Sequence, residues 1–316
     1  MKISIITACF NAIATIKDAI ESVFTQGVCS KEQGVSLEYI VVDGGSTDGT
    51  VDAIKEFEHR TSFLLPTTFS FKWISEPDKG MYDAINKGIK MATGDIIGIL
   101  NADDILASDD VIARIAAEFG RGTRPACPDS LVGRDDPIAP NENGAPPSST
   151  STSIDCVYGK VYFVNPSQLQ TSNSKLQTLR QAPPVRRCFA QLWRPWMLQW
   201  GYMPPHPGIF IRKSCFTQWG GYVPDRAEYR IAADYELLIR FFRVHHMRSR
   251  YAKFYTTIMR TGGVSTRDVN ARKLLNAEII KANRINGFFC IWPMLLPKYL
   301  IKIWEVILPR LGFMGN

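Results

Sequence analysis

The sequence predicts an α/β protein with a mostly parallel central sheet and helices on both of its faces. Three observations lead there. Short apolar, β-branched runs alternate with amphipathic helical patterns through the first third of the chain. Polar residues follow each run, Asn11 after the first and clusters rich in glycine or acid after the next three, where the strands of such a sheet end. The 316 residues, 45% hydrophobic and 21% charged, also suffice to bury the large core the fold requires.

ISIITAC (3–9) is the first strand, its continuous apolar character fitting burial on both faces. Thr15 with Asp18 three residues on reads as a capping box. Behind it Ile16, Ala19, Ile20, Val23 and Phe24 form one apolar helical stripe, and Gly27 marks the stop. LEYIVVD (37–43) is the second strand, leading through GGSTDGT into a helix near 50–58. FKWIS (71–75) is the third, followed by EPDKG and a helix over 81–92. DIIGIL (95–100) is the fourth and ends in NADD, before a helix opened by Ser108, Asp109 and Asp110.

Residues 120–155 change character. They are rich in Pro, Ser, Asn and Gly and too poor in apolar residues to order themselves, which predicts a mobile insertion. Strand character resumes at CVYGKVYFV (156–164). A Trp/Arg/Pro-rich stretch up to Trp200, PPHPGIFIRKS, the helix-like ADYELLIRFFRVH (233–245) and a strand-like run over 251–258 follow. The tail from Phe288 to Phe313 is apolar apart from Lys298, Lys302 and Glu305, whose i, i+4, i+7 spacing makes one polar stripe on a helix. It is too interrupted by proline and charge to span a bilayer. It fits a peripheral helix in a membrane interface, or one packed on the domain or on a second copy in a homodimer.

The net charge of +7 suits an anionic partner, a phosphate-bearing substrate or an anionic lipid surface, and equally a solvated basic surface. No dense Lys/Arg run or nucleic-acid module occurs, so nucleic acid is not an expected partner. Seven scattered cysteines with no CxxC pair argue against a zinc site or a disulfide framework and for reduced thiols in a cytoplasmic protein. The short apolar run at the start reads as a buried strand, not a signal peptide.

The chemistry concentrates at the strand ends. Asn101-Ala102-Asp103-Asp104 would deliver hard oxygen ligands suited to Mg²⁺ or Mn²⁺, or would simply cap the next helix. Asp43 could accept a hydrogen bond from a nucleobase N–H, or only organise a tight turn. No GxGxxG follows the first strand and the first glycine is Gly27, which argues against a dinucleotide enzyme and against a glycine-rich phosphate loop.

Taken together, SIITACFNA, VVDGGSTDGT, SEPDKGMYDAINKGIKMATGDIIGILNADD, MPPHPGIFIRKS and IAADYELLIRFF resemble the inverting family-2 glycosyltransferases of the GT-A fold. The nearest likeness is to bacterial enzymes of exopolysaccharide, capsule, O-antigen or colanic acid assembly, and it covers 1–119 and 156–266. The resemblance implies a Rossmann-like nucleotide-sugar-binding half (1–119), an acceptor-binding and catalytic-base half (156–270) and C-terminal amphipathic helices (271–316). It implies that Thr7, Ala8 and Asn11 line the nucleoside pocket, that Asp43 faces the base, and that Lys79 and Asp83 border the nucleotide-sugar. Asn101 and Ala102 fill the family's Asp-x-Asp slot with Asp103 as the main metal ligand and Asp104 beside it; Asn101 departs from the usual first Asp. Asp234 aligns with the catalytic base, with Ala233 where an acidic neighbour is usual. His206 would contact the acceptor or the diphosphate, or be structural, and Arg260 with Ser265 would border the phosphates. The QxxRW signature of processive synthases is absent, so the expected activity is metal-assisted transfer of one sugar from a nucleoside diphosphate sugar to a saccharide or lipid-diphosphate-linked acceptor, at the inner membrane face. Two alternatives stand beside it: a sugar nucleotidyltransferase, and a non-catalytic saccharide-binding or scaffold protein, to which the Asn101 and Ala233 departures point.

Overall fold

The computed structural model describes residues 1–26, 34–61, 68–121, 153–165, 175–188, 190–262 and 269–310. Gly27, Ser265 and nearly all of the 120–155 insertion lie outside them. In chain order the elements are β1 (Lys2–Cys9), α1 (Ile16–Phe24), β2 (Ser36–Asp43), α2 (Thr50–Thr61), β3 (Phe69–Ser75), α3 (Met81–Met91), β4 (Ile96–Ile99), β5 (Ile105–Leu106) and α4 (Val111–Gly120). The second half adds β6 (Cys156–Val164), α5 (Lys175–Gln181), β7 (Arg186–Arg187), β8 (Ile209–Arg212), α6 (Lys213–Trp219), α7 (Ala233–Ile239), β9 (Ser249–Arg260), α8 (Val269–Ile285) and α9 (Pro297–Arg310). The helical 233–245 segment is α7 plus one wider turn over Arg240–Val244.

One sheet runs β3-β2-β1-β4-β8-β6-β9-β5, with β7 on β6. The first four strands are parallel, as expected. The second half is not: β8 pairs antiparallel with both β4 and β6, and β5 antiparallel with β9, so the sheet is mixed. The reason lies in the connection. β8 is entered through the short turn His206–Gly208 at the edge where β4 ends, not through a helix crossover, so it must run back.

Alternate residues of the parallel strands feed two cores. Ile5, Tyr39, Val41 and Ile96 pack with α1, α2 and α4, while Ile6, Ile40, Val42 and Ile97 pack with α3, α6, α7 and α8. This two-residue alternation is why the strands read as unbroken apolar runs. The expected capping box does not form. Thr15 makes no side-chain cap bond, and the Asp18 carboxylate pairs with Arg260.

The opposite edge of the sheet is pinned by Glu38, buried on β2. Its carboxylate accepts from Lys72 Nζ (2.8 Å), Ser4 Oγ (2.6 Å), Thr93 N (2.7 Å) and Thr93 Oγ1 (2.8 Å), with Lys2 Nζ at 3.4 Å. Burial pushes its pKa up, but these donors win and hold it at about 2, below its ordinary 4.5. Glu38 therefore contributes stability that is complete above its unfolded pKa and is lost as pH falls toward the folded value. Glu38→Ala, which strands buried partners, is expected to cost about 3–5 kcal/mol. Urea unfolding at pH 7 and pH 3 checks this, the difference from the unsubstituted chain shrinking at pH 3.

Candidate functional site

The strands deliver their loops to one edge. After β1, Asn11 adopts φ 50, the left-handed region that asparagine tolerates better than most residues. Its Oδ1 accepts from Thr47 N at 3.0 Å and its own N–H donates to Ser46 Oγ at 2.7 Å. Asp48 accepts from Thr50 N and, with its other oxygen, from Ile13 N. The loops after β1 and β2 are thus braided into one ledge.

Asp43 does not face outward from that ledge. It is fully buried, with Oδ2 accepting from Gly45 N, Ser46 N and Ser75 Oγ and Oδ1 from Ser46 Oγ. Burial raises its pKa, yet the donors from Ser46 and Ser75 outweigh it and hold the group below its ordinary range. With its lone pairs filled, Asp43 organises the turn. The carboxylate that lies against the turn's outer surface is Asp78. A Cβ on Gly44 would stand 2.5 Å from Asp78 Oδ2 and 3.4 Å from the Phe10 ring, so only glycine admits this approach. Phe10 is exposed. An open aromatic ring, a glycine and a carboxylate converge here, an arrangement suited to a flat ring carrying an N–H donor.

The NADD turn follows β4. Asn101 Nδ2 donates to Asp104 Oδ2 at 2.7 Å, and Asp104 N to Asn101 O at 3.1 Å. Asp104 is buried, and its Oδ1 has no hydrogen-bond partner. Burial and then the neighbouring Asp103 push its pKa well above the carboxylate range. Such an oxygen needs a cation or a proton. Hard carboxylate oxygens on two successive residues fit Mg²⁺ or Mn²⁺, and Asn101 can add only a neutral oxygen. Among the described residues no cluster of three or more His, Cys, Asp or Glu could hold a metal ion. The remaining ligands would have to be water or substrate oxygens. Ala102 packs partly against the core behind the turn.

Arg260, expected to border phosphates, is a strut instead. Its guanidinium, nearly buried at the end of β9, donates to Asp103 O (2.6 Å) and to Asp18 Oδ2 on α1 (2.5 Å). A buried cation spent on two partners fixes the turn rather than waiting for a ligand. Near the first loop Arg226 takes the more open cationic position: its Cδ would lie 2.7 Å from a Cβ on Gly80.

The other wall of the site is aromatic. Tyr82, at the start of α3, stacks on Tyr222 with ring centroids 5.7 Å apart. The Tyr82 hydroxyl, 2.6 Å from Ile231 O and 3.3 Å from Asp234 Oδ1, divides its one proton between them, and Asp234 Oδ1 also accepts from Tyr235 N (2.8 Å). Burial pushes the Asp234 carboxyl up to about 6, the bonds from Tyr235 and Tyr82 only partly offsetting it. His206 Nε2 is bonded to Tyr222 Oη at 2.5 Å, and burial pushes the imidazole down to about 4. It is a neutral prop for Tyr222, not a cation offered to a diphosphate. Glu278 on α8 was not legible as part of this site: its carboxylate accepts from the N–H groups of Arg230, Ile231 and Ala232, fixing the approach to Asp234.

The remaining candidates fall near these groups with altered roles. Thr7 is buried and its hydroxyl accepts from Tyr39 Oη, so its side chain faces the core, while Ala8 is half-buried toward the α3 side. Asp83 accepts from Lys79 N at 3.1 Å and lies 3.8 Å from Lys87, which makes it a cap of α3. The Lys79 side chain is exposed beside it. The strand-end cluster Asn11, Asp78, Lys79 and NADD shares an edge with Asp234, because Tyr82 bridges from α3 to α7 and the His206 turn adjoins β4.

Comparison with known proteins agrees with this architecture. Residues 4–146 match the family model described as Glycosyl transferase family 2. An uncharacterized glycosyltransferase of Mycobacterium tuberculosis is 34% identical over 121 residues, 38% of this chain and 41% of the relative. The chain thus matches about two fifths of that relative's length. Among solved structures, the mannosyltransferase PcManGT from Pyrobaculum calidifontis in complex with GDP-Man and Mn²⁺ superposes with a TM-score of 0.53 at 14% identity, covering 99% of this chain and 76% of that one. S. aureus TarS 1-349 in complex with UDP-GlcNAc gives 0.52 at 14% identity, covering 99% and 73%. The fold is of the GT-A type.

The buried Asp104 oxygen yields a test without any assay of transfer. Asp104 has a raised folded pKa, so it costs stability as pH rises above its unfolded value. Asp104→Asn is expected to raise the Tm of the metal-free chain at pH 8, and Mn²⁺ at 100 times its Kd to stabilise only the unsubstituted chain, by about 2.7 kcal/mol. Thermal melts with and without Mn²⁺ check both; equal Mn²⁺ responses would contradict the assignment.

Proposed function

We propose that this chain is a glycosyltransferase that moves a single sugar from a nucleoside diphosphate sugar to a hydroxyl of a saccharide or lipid-diphosphate-linked acceptor, with inversion, in surface polysaccharide synthesis. The observation that carries the reading is Asp234, a carboxylate with a pKa of about 6 on the same sheet edge as the under-satisfied NADD turn. A base poised near neutrality is what deprotonation of a sugar hydroxyl asks for.

In this reading the nucleobase lies on Phe10 and Gly44 with Asp78 accepting its N–H, and Asn11 holds the ledge beneath. Lys79 and Arg226 face the diphosphate as cations, while Asp103 and Asp104, with Asn101 alongside, would hold Mg²⁺ or Mn²⁺. When bound, the ion supplies Lewis-acid neutralisation of the diphosphate charge. The chain's own step is proton transfer. Asp234 accepts the acceptor hydroxyl proton as that oxygen bonds to the anomeric carbon, and the bond from that carbon to the diphosphate oxygen breaks on the opposite face. The electron pair leaves with the nucleoside diphosphate. An α-linked donor would give a β-linked product. Tyr82 keeps the base in place, and Glu278 positions the segment that carries it.

Asp234→Asn removes the base while keeping its shape, and transfer is expected to fall 10²–10⁴-fold with nucleotide-sugar affinity retained. Below pH 6 the unsubstituted chain loses kcat/KM as Asp234 takes up a proton. Tyr82→Phe removes a donor that favours the charged carboxylate, so this acid limb moves to higher pH. Radiolabelled transfer across pH 5–8 reads these outcomes; undiminished transfer by Asp234→Asn would overturn the base assignment.

A further inference from the structure

The last helix is folded with its polar side inward. Lys298 and Glu305 on α9 are 2% and 0% exposed, whereas Leu300 and Trp304 on the opposite side are 62% and 55% exposed. Leu300, Ile303, Trp304 and Ile307 recur at i, i+3, i+4 and i+7, so they form one outward apolar stripe. Phe289 and Trp292, both exposed, extend it. The buried polar stripe is anchored, not stranded: Lys298 Nζ donates to Asn276 Oδ1 at 2.5 Å, and Glu305 accepts from Arg186 Nε at 2.7 Å and Tyr202 Oη at 3.0 Å. A helix that spends its charges on the protein and offers tryptophan and leucine outward is arranged for an apolar neighbour.

What that neighbour is follows from charge. An open cavity of ≈ 420 Å³ adjoins the stripe, lined by Arg186, Arg272, Lys298 and Lys302 among apolar residues that include Ile303 and Ile307. Arg186 is answered by Glu305. No Asp or Glu is among the residues lining the cavity, and the nearby Glu305, which also attracts Lys302, is one carboxylate against these four cations. The crowding is felt: burial and then Lys302 push Lys298 down to about 8, and burial and then Arg186 push Lys302 down as well. A second copy docked symmetrically here would bring two such cationic cavities together. An anionic lipid surface would supply both the apolar medium and the missing negative charge, with tryptophans at the depth they favour.

We propose that this face seats on an anionic membrane interface, the apolar stripe of α9 entering the acyl boundary and a lipid phosphate meeting Arg272 and Lys302 of the cavity beside it. No helix among the described residues is long and apolar enough to cross a membrane, so the contact is peripheral. The proposal is independent of the transfer reading.

Sedimentation of the full chain with vesicles tests it. Phosphatidylglycerol vesicles are expected to bind at least tenfold more tightly than phosphatidylcholine vesicles, with affinity falling as salt rises. Leu300→Asp with Trp304→Asp should abolish binding. Arg272→Ala with Lys302→Ala should weaken it about 25-fold, from about fivefold per surface cation. Thermal melts confirm that each variant is folded, and transfer to a soluble acceptor should survive in both. No binding to either vesicle, equal binding to both, or binding untouched by the substitutions would overturn the proposal. So would stabilisation by inorganic phosphate without vesicle binding, or a light-scattering dimer that Trp304→Asp dissociates while vesicles remain unbound.

Discussion

The site depends on one pairing, the antiparallel contact of β8 with β4. Phe210 faces Gly98 across it, and a Cβ on Gly98 would come within 2.7 Å of that ring and 2.9 Å of Ile5. Only glycine lets the two strands close on the core here. Because β8 runs against β4, the beginning of β8 lies beside the end of β4. The His206 turn therefore stands next to NADD, and through Tyr222 and Tyr82 the start of α7 is drawn to the same edge. A parallel β8 would put those groups on opposite ends of the sheet. Mixed pairing is what closes one cleft from two halves of the chain.

Within that frame, carboxylates divide by how many donors reach them. Glu38, Asp43 and Glu278 are each saturated by backbone and side-chain donors, and they hold loops in place. Asp104 has a buried oxygen without a partner, Asp234 is bonded through one oxygen by Tyr235 and Tyr82, and burial raises both. The saturated groups stabilise the fold as anions; the others are kept ready for a cation or a proton. This contrast separates structural from chemical acids more sharply than their positions in the sequence do.

Much of the frame was legible in advance. The strands of the first half, the NADD turn at the end of β4 and Asp234 at the head of a helix all follow from apolar runs and their punctuation. For Asp43 both a base contact and a tight turn stayed open, because a carboxylate ending a strand reads the same whether it points outward or folds back on its own turn; the donors from Ser46 and Ser75 are what show it folded back. Phe10 and Asp78 carried no pattern of their own, since an exposed aromatic and an acid in a turn are commonplace. Arg260 reads as an anion-binding residue until Asp18, remote in sequence, is seen to engage it. Glu278 lies in a stretch that looks like a mere tail. For α9 the sequence revealed an amphipathic helix, but hydrophobic periodicity does not say which side is turned inward.

The central claim is that the NADD carboxylates and the Asp234 wall share one cleft. His206 reports on it, because it props that wall and is one of only four histidines. Paramagnetic relaxation by Mn²⁺, bound together with a nucleoside diphosphate, can be read on isotopically labelled histidine side chains. The account predicts strong broadening of the His206 resonance while His59, at the end of α2, stays sharp. A His206 resonance left sharp when calorimetry shows Mn²⁺ bound would contradict it.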